Sequence, residues 1–555
     1  MLRSCLFAIL IILPISAQAQ PIVLHNARIY TVDSDQPTAE ALAFENGALL
    51  AVGSDADVLA AYPDAERLDA DGRTVVPGLI DAHAHLMGLG ASLLQADLVG
   101  TASKAEVVAR LEAFAETLPE GAWVTGRGWD QNDWDAAEDG TYPFPSAADL
   151  DAAFPDRPVW IRRVDGHAAW ANAAAMGRIE GLDDMADPEG GVIVRDADGR
   201  PTGIFVDAAM RTMANAIPSP SEAEQRQALD LALAETARYG LTGIHDAGVD
   251  LGTIRLYQQA IDEGQFPIRN YVMIGGEGEG LDHFCASGPL EDYKGYLAVR
   301  SVKFYADGAL GSRGAALLAD YSDDAGNTGL LFETQDVLAG RMIEAMNCGL
   351  QVNTHAIGDR ANRVVLDAYD EAIRATGVGP GRHRIEHAQI VVTPDDIARF
   401  AELDLIASMQ PTHATSDMPW AEARVGPERI KGGYAWRTFR DHGVRLALGS
   451  DFPVERVPPL LGFYAAVTRQ DTEGAPPAGW YPGQRLTREE ALRGFTLDAA
   501  YAAFMEDTVG SLEVGKRADF VVLSRDIMTV PDAAILEAEV VATFLDGEAI
   551  WGGLE

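Results

Sequence analysis

Cysteine is nearly missing from this 555-residue chain, which has only Cys5, Cys285 and Cys348. Three cannot build a disulfide framework, and no C-x-x-C or Cys–His spacing marks a zinc finger or a redox motif. Cys285 and Cys348 are therefore expected to be buried free thiols. Basic residues are scarce too: 43 Lys and Arg face 84 Asp and Glu, a formal net charge of −41. Such a polyanion repels phosphate backbones and anionic lipid, which excludes general nucleic-acid binding and leaves a well-solvated acidic surface. Beyond the N-terminus no apolar run reaches the roughly 18 residues of a membrane span. The remaining composition, 47% hydrophobic and 23% charged, is that of a globular protein, not of collagen, a coiled coil or a disordered chain.

Residues 1–19 read as a secretory signal. Arg3 precedes the apolar run Leu6–Leu13, and Ser16-Ala17-Gln18-Ala19 supplies a small-residue cleavage site. The run is short for a span, so the reading is export with cleavage after Ala19, into the periplasm of a Gram-negative host. An uncleaved anchor is the rival. After cleavage no membrane contact is expected.

Both ends of the mature chain carry short β-rich runs. Ile22-Val23-Leu24, Ala41–Phe44 and Ala48–Val52 lie near the start, with Glu45-Asn46-Gly47 as a hairpin signal; Ala518–Leu523 and Val540–Leu545 lie near the end. No run is enough for a sheet alone. Residues 20–76 and 508–555 are therefore expected to pair into one small β-sandwich.

Between them, residues 77–507 alternate short strands with helical stretches, the pattern of a parallel α/β fold. The predicted architecture is a (β/α)8 TIM barrel. His355 and His387 lie 32 residues apart, and His387 and Asp451 twice that, with Leu405–Gln410 as the strand between. This fits a repeat of about 30 residues. His83 and Lys303 lie 220 apart, where three repeats need about 90. An insertion is therefore expected at about 90–235, as a substrate lid.

In such barrels the strand C-termini carry the chemistry. His83 and His85 are two apart and share a face of an extended strand, so two imidazoles converge at the barrel mouth and suit a divalent metal. His355, His387 and Asp451 end three further strands. Lys303, within Ser301-Val302-Lys303-Phe304, points into the barrel, where burial lowers the pKa of an ammonium. A neutral amine can take up CO₂ and become a carbamate able to bridge two metals. A plain pairing with Asp307 is the competing reading.

Pro77–His85, together with Lys303, His355, His387 and Gly449-Ser450-Asp451, resembles the amidohydrolase superfamily. Gly128–Asn132, Asp165–Trp170, His245–Gly248, Lys303–Arg313, His355–Asp359 and Gly449–Val454 resemble its amidohydrolase 3 branch, from about residue 22 to the end. The resemblance implies a metal-dependent barrel joined to a sandwich. It also implies His83 and His85 on one metal, His355 and His387 on a second, carboxylated Lys303 bridging them, and Asp451 both ligating and moving protons. Zinc is the expected ion, as one or two per chain.

Other residues are candidates for substrate contact, each with a structural alternative. Trp129 could line a pocket or fill a core. Asp165 and His167 could hold substrate or cap a turn. His245 could touch substrate or support a ligand. Arg313 could bind a carboxylate or pair with a surface acid, and His413 lies just beyond the seventh strand.

The expected activity is hydrolysis of a C–N bond in an amide-like small molecule (N-acyl, N-formyl or cyclic amide) through a metal-bound hydroxide. A deaminase of the same superfamily is the near alternative, but many of those carry Glu three residues after the fifth-strand His, where this chain has Gly358. A catalytically silent binding protein would lack ligands, and none is missing. Substrate, metal number, carboxylation and any homo-oligomer stay open.

Overall fold

Runs of apolar residues spaced about 30 apart become the staves of a barrel in the computed structural model, which describes residues 20–131, 134, 143–164, 168–188, 191–378 and 381–554. Its strands are β1 (Leu79–Ala84), β2 (Leu241–Val249), β3 (Arg269–Gly275), β4 (Leu297–Tyr305), β5 (Gln351–Ala356), β6 (Arg384–His387), β7 (Ile406–Met409) and β8 (Leu446–Leu448). Each neighbouring pair from β1 to β8 is parallel. The barrel closes through Gly449-Ser450-Asp451. The Ser450 hydroxyl donates to Asp81 at 2.6 Å, and the Asp451 N–H donates to the His83 carbonyl at 2.8 Å.

Helices cover the outside because their apolar residues fall on one stripe. The helix after β5, Asp359–Thr376, buries Ala361, Val365, Leu366, Ala368, Tyr369 and Ala372. It ends at Gly377, whose φ of 63° supplies the left-handed cap that a side chain disfavours.

The two chain ends share one core. Strand Thr74–Pro77 pairs antiparallel with Phe520–Leu523, within a six-stranded sheet. A four-stranded sheet holds Ile22–His25, Ala41–Glu45, Ala48–Gly53 and Glu66–Asp69. Leu24, Ile29, Phe44, Val75, Phe520 and Phe544 pack in a single cluster, with the Phe520 and Phe544 rings stacked at 4.4 Å. Arg28 and Tyr30 both reach Asp526, at 2.6 and 3.1 Å. Buried Arg269, at the start of β3, is paired with Asp519 at 2.7 Å.

The chain divides into two compact units: one runs to Leu86 and resumes at Leu233, and the other is Met87–Ala232. The second unit contains its own six-stranded sheet, formed by Ala96–Asp97, Val124–Trp129, Val159–Arg163, Ala168–Ala171, Gly191–Arg195 and Pro201–Asp207. Trp129 and Trp170 lie in its core. The expected signal segment lies outside the described residues. Among those described, no helix is long and apolar enough to cross a membrane.

The cysteine expectation is wrong. Cys285 and Cys348 form a disulfide, and both are only partly buried. They lie 63 residues apart, one in helix Glu279–Ser287 after β3 and one at the end of helix Gln335–Asn347 after β4. The two helices come side by side only when the strands before them pair, so linear spacing does not mark the two cysteines as partners.

Candidate active site

Strand geometry aims the site. On β1, Asp81 and His83 share the inward face, and His85 follows just past the strand end. Lys303 points inward from β4, while His355 and His387 end β5 and β6. The six candidate ligands meet at the C-terminal end of the barrel. His85 Nε2 is 3.2 Å from Asp451 Oδ1, and His83 Nε2 is 3.7 Å from the same oxygen. Lys303 Nζ sits 3.0 Å from His83 Nε2. The His387 ring lies 4.6 Å from that of His355 and 4.8 Å from that of His83, centroid to centroid.

His387 and Asp451 adopt left-handed backbone, with φ of 73° and 65°. Non-glycine residues in that region cost on the order of 1–3 kcal/mol each, and such strain clusters at functional sites.

Burial sets the charges. It lowers His83 to about 4 and His355 to about 3, keeping both imidazoles neutral and their lone pairs free. Burial also brings Lys303 down to about 8, although Glu386 and Asp451 pull the other way. Asp451 stays low, at about 2: burial opposes ionisation, but the imidazoles of His85, His83 and His413 around it outweigh that.

Behind the ligands lies a buried ionic layer. Glu386 accepts a hydrogen bond from His83 Nδ1, and both residues are fully buried. Arg384 holds Glu386 at 2.7 Å and donates to the Ser408 hydroxyl at 2.8 Å and the Ala82 carbonyl at 2.5 Å. Burial would raise the Glu386 pKa, but Arg384 and His83 hold it well below the usual carboxylate range. Asp81 accepts from the His83 and Ser450 N–H groups, and Asp307 accepts from Ala316, Ile357 and Gly358. Burial lifts both carboxyls to about 7. His387 Nδ1 is 2.8 Å from Gln410 Oε1, and His85 Nδ1 is 3.0 Å from the Ala247 carbonyl.

The sequence reading singled out none of Glu386, Arg384, Gln389 or Gln410. For the first two the signal was present: charged residues at i and i+2 of a barrel strand share its inward face.

The substrate-contact candidates separate. His413 joins the cluster, with Nε2 3.7 Å from Asp451 Oδ2 and Nδ1 3.1 Å from Gln389 Nε2. His245 is buried in mid-strand, since β2 continues to Val249, and its Nδ1 is 2.8 Å from Arg384. Arg313 makes a two-pronged pair with Asp323, so its fork is already taken. Trp129 is wholly buried in the inserted unit. Its indole N–H donates to the Ile161 carbonyl and its ring packs against Trp134 and Trp170, so packing accounts for it. Asp165 and His167 lie outside the described residues.

The cluster suits a divalent cation. His83, His85 and Asp451 offer ligand atoms within 4.8 Å of one another, as do His387, His413 and Asp451. His355 Nε2 and Asp451 Oδ1 are buried without a hydrogen-bond partner, a costly state that a cation would relieve. Neutral imidazoles with carboxylate are the donor set of zinc-type ions.

The sequence profile of the amidohydrolase family matches residues 66–550. Protein LONG AFTER FAR-RED 3 of Arabidopsis thaliana is 34% identical over 554 residues, covering 96% of this chain and 91% of its own. An N-substituted formamide deformylase from Arthrobacter pascens is 30% identical, covering 96% and 98%. The crystal structure of an uncharacterized metal-dependent hydrolase from Pyrococcus furiosus superposes with a TM-score of 0.76 at 29% identity, covering 92% of this chain and all of that one.

Proposed function

Because the chain belongs to the amidohydrolase family, we propose that it is a metal-dependent hydrolase that cleaves the C–N bond of an amide-like small molecule. The observation that carries this reading is the cluster of imidazoles around the Asp451 carboxylate at the C-terminal end of the barrel, in which His355 Nε2, His413 Nε2 and Asp451 Oδ1 are buried without a hydrogen-bond partner. The formamide-cleaving relative and the Pyrococcus hydrolase support it.

His83, His85 and Asp451 would hold one ion, and His355 and His387 a second, with Lys303 between them as its carbamate; zinc suits the donors. When bound, such an ion makes water acidic and polarises a carbonyl. Asp451, at the centre, accepts the proton of the attacking water. A C–O bond forms at the carbonyl carbon, Asp451 passes the proton to the leaving nitrogen, and the C–N bond breaks to give a carboxylic acid and an amine. A deaminase reading has less to stand on, since Gly358 has no side chain to move a proton, and its N–H is taken by Asp307. The disulfide supports export to an oxidising compartment.

A panel of N-formyl, N-acyl and cyclic amides, assayed with metal analysis, tests the proposal. Chelation should abolish turnover and Zn²⁺ should restore it. Asp451→Asn should be inactive at modest cost to folding, and Lys303→Ala should lose metal. Full activity in either variant, or in chelated protein, would overturn the reading.

A further inference from the structure

The hydrogen bonds behind the imidazoles sort them by where each holds its proton. His83, His85 and His387 each place Nδ1 against an oxygen: the Glu386 carboxylate, the Ala247 carbonyl and Gln410 Oε1. Oxygens there accept, so Nδ1 carries the hydrogen and Nε2 turns a lone pair to the centre. The Gln410 amide is oriented by its own N–H, which donates to the Ser408 carbonyl at 3.3 Å.

His413 is wired the other way round. Its Nδ1 lies 3.1 Å from an amide nitrogen, Gln389 Nε2, and with the amide in this orientation it accepts. The hydrogen then sits on Nε2, which lies 3.7 Å from Asp451 Oδ2, beyond hydrogen-bond reach, and has no hydrogen-bond partner of its own. Both residues are nearly buried, at 7% exposure for His413 and 5% for Gln389, so little water competes.

Distance alone would admit His413 as a metal ligand beside His387 and Asp451. We infer instead that His413 is a catalytic hydrogen-bond donor, its Nε2–H aimed at the carbonyl oxygen of the scissile amide, and that Gln389 is its positioning residue. As water adds to the carbonyl carbon, that oxygen gains negative charge. A fixed donor strengthens its bond as the charge grows, while its proton stays on His413. The inference rests on the hydrolase reading above.

The test separates ligand from donor. Metal-stripped wild type, His413→Ala, His413→Asn and Gln389→Met are titrated with Zn²⁺ alone, then assayed on N-butylformamide and an N-acetylamine panel. Zinc stoichiometry and affinity should match wild type in all three variants. In His413→Ala, kcat should fall about 10²–10³-fold with KM little changed. His413→Asn, which keeps an N–H, should recover part of the loss, and Gln389→Met should show a smaller loss confined to kcat. Loss of zinc from His413→Ala or His413→Asn, or an unchanged kcat in His413→Ala, would overturn the donor role. Wild type that takes up no zinc would instead bring down the hydrolase reading, and this inference with it.

Discussion

Glu386 and His83, 303 residues apart in sequence, are joined by a hydrogen bond in which the carboxylate accepts from Nδ1–H and leaves Nε2 facing the ligand cluster. A carboxylate behind a metal-binding imidazole fixes its orientation and makes it a stronger donor. Glu386→Gln should therefore weaken zinc affinity by about 10–100-fold while the protein stays folded. Glu386→Ala also strands the buried Arg384 guanidinium and should cost on the order of 3–5 kcal/mol. Zinc competition with a chelating dye and chemical denaturation read the two effects separately.

Gly449 sits where the barrel closes. A Cβ there would lie 2.4 Å from Asp81 Oδ1 and 2.7 Å from the His83 N–H nitrogen. Both atoms belong to a buried network that cannot yield without moving a candidate ligand. Gly449→Ala should destabilise by about 1–3 kcal/mol, as overpacked cores do. Metal affinity should fall with it, which equilibrium unfolding and zinc titration would show together.

The Cys285–Cys348 link spans 63 residues of chain. Loops of that size confer roughly 4 kcal/mol through restriction of the unfolded state. Cys285→Ser, Cys348→Ser and dithiothreitol-treated wild type should all lose Tm by a similar amount, measured in the same buffer by calorimetry.

Asp526 clamps the chain ends through Arg28 and Tyr30. Burial raises its pKa, but hydrogen bonds from Thr529, Arg28, the Met528 N–H and Tyr30 outweigh that and leave it lowered. A lowered carboxyl contributes stability above the ordinary Asp value of about 3.9, and loses it as pH falls through the folded value. The stability gap between wild type and Asp526→Asn should therefore be constant near neutrality and shrink below about pH 4. Urea unfolding across that range checks it.

The barrel was legible because its strands carry two signals at once, short apolar runs and a polar residue at each C-terminal end, and His83, His355, His387 and Asp451 all show both. The residues that hold these ligands were less visible. Arg384 and Glu386 stood in the same short run as His387, but a buried ion pair reads in sequence like any charged pair. Gln389 and Gln410 matter only through which amide atom faces an imidazole, which no sequence pattern encodes. The left-handed backbone at His387 and Asp451 was equally hidden, since neither residue type announces it. The disulfide was missed because it joins helices of successive barrel units.

Strand Thr74–Pro77 pairs with Phe520–Leu523, so the sandwich waits until the chain has been made past residue 523. Until then the early strands present unpaired edges and an apolar face, the condition under which nascent chains associate wrongly. A ribosome-bound product stopped short of residue 520 would carry a complete barrel sequence and still lack its seam. Assembly of this protein is in that sense governed by the codons for Phe520–Leu523 and the strands that follow.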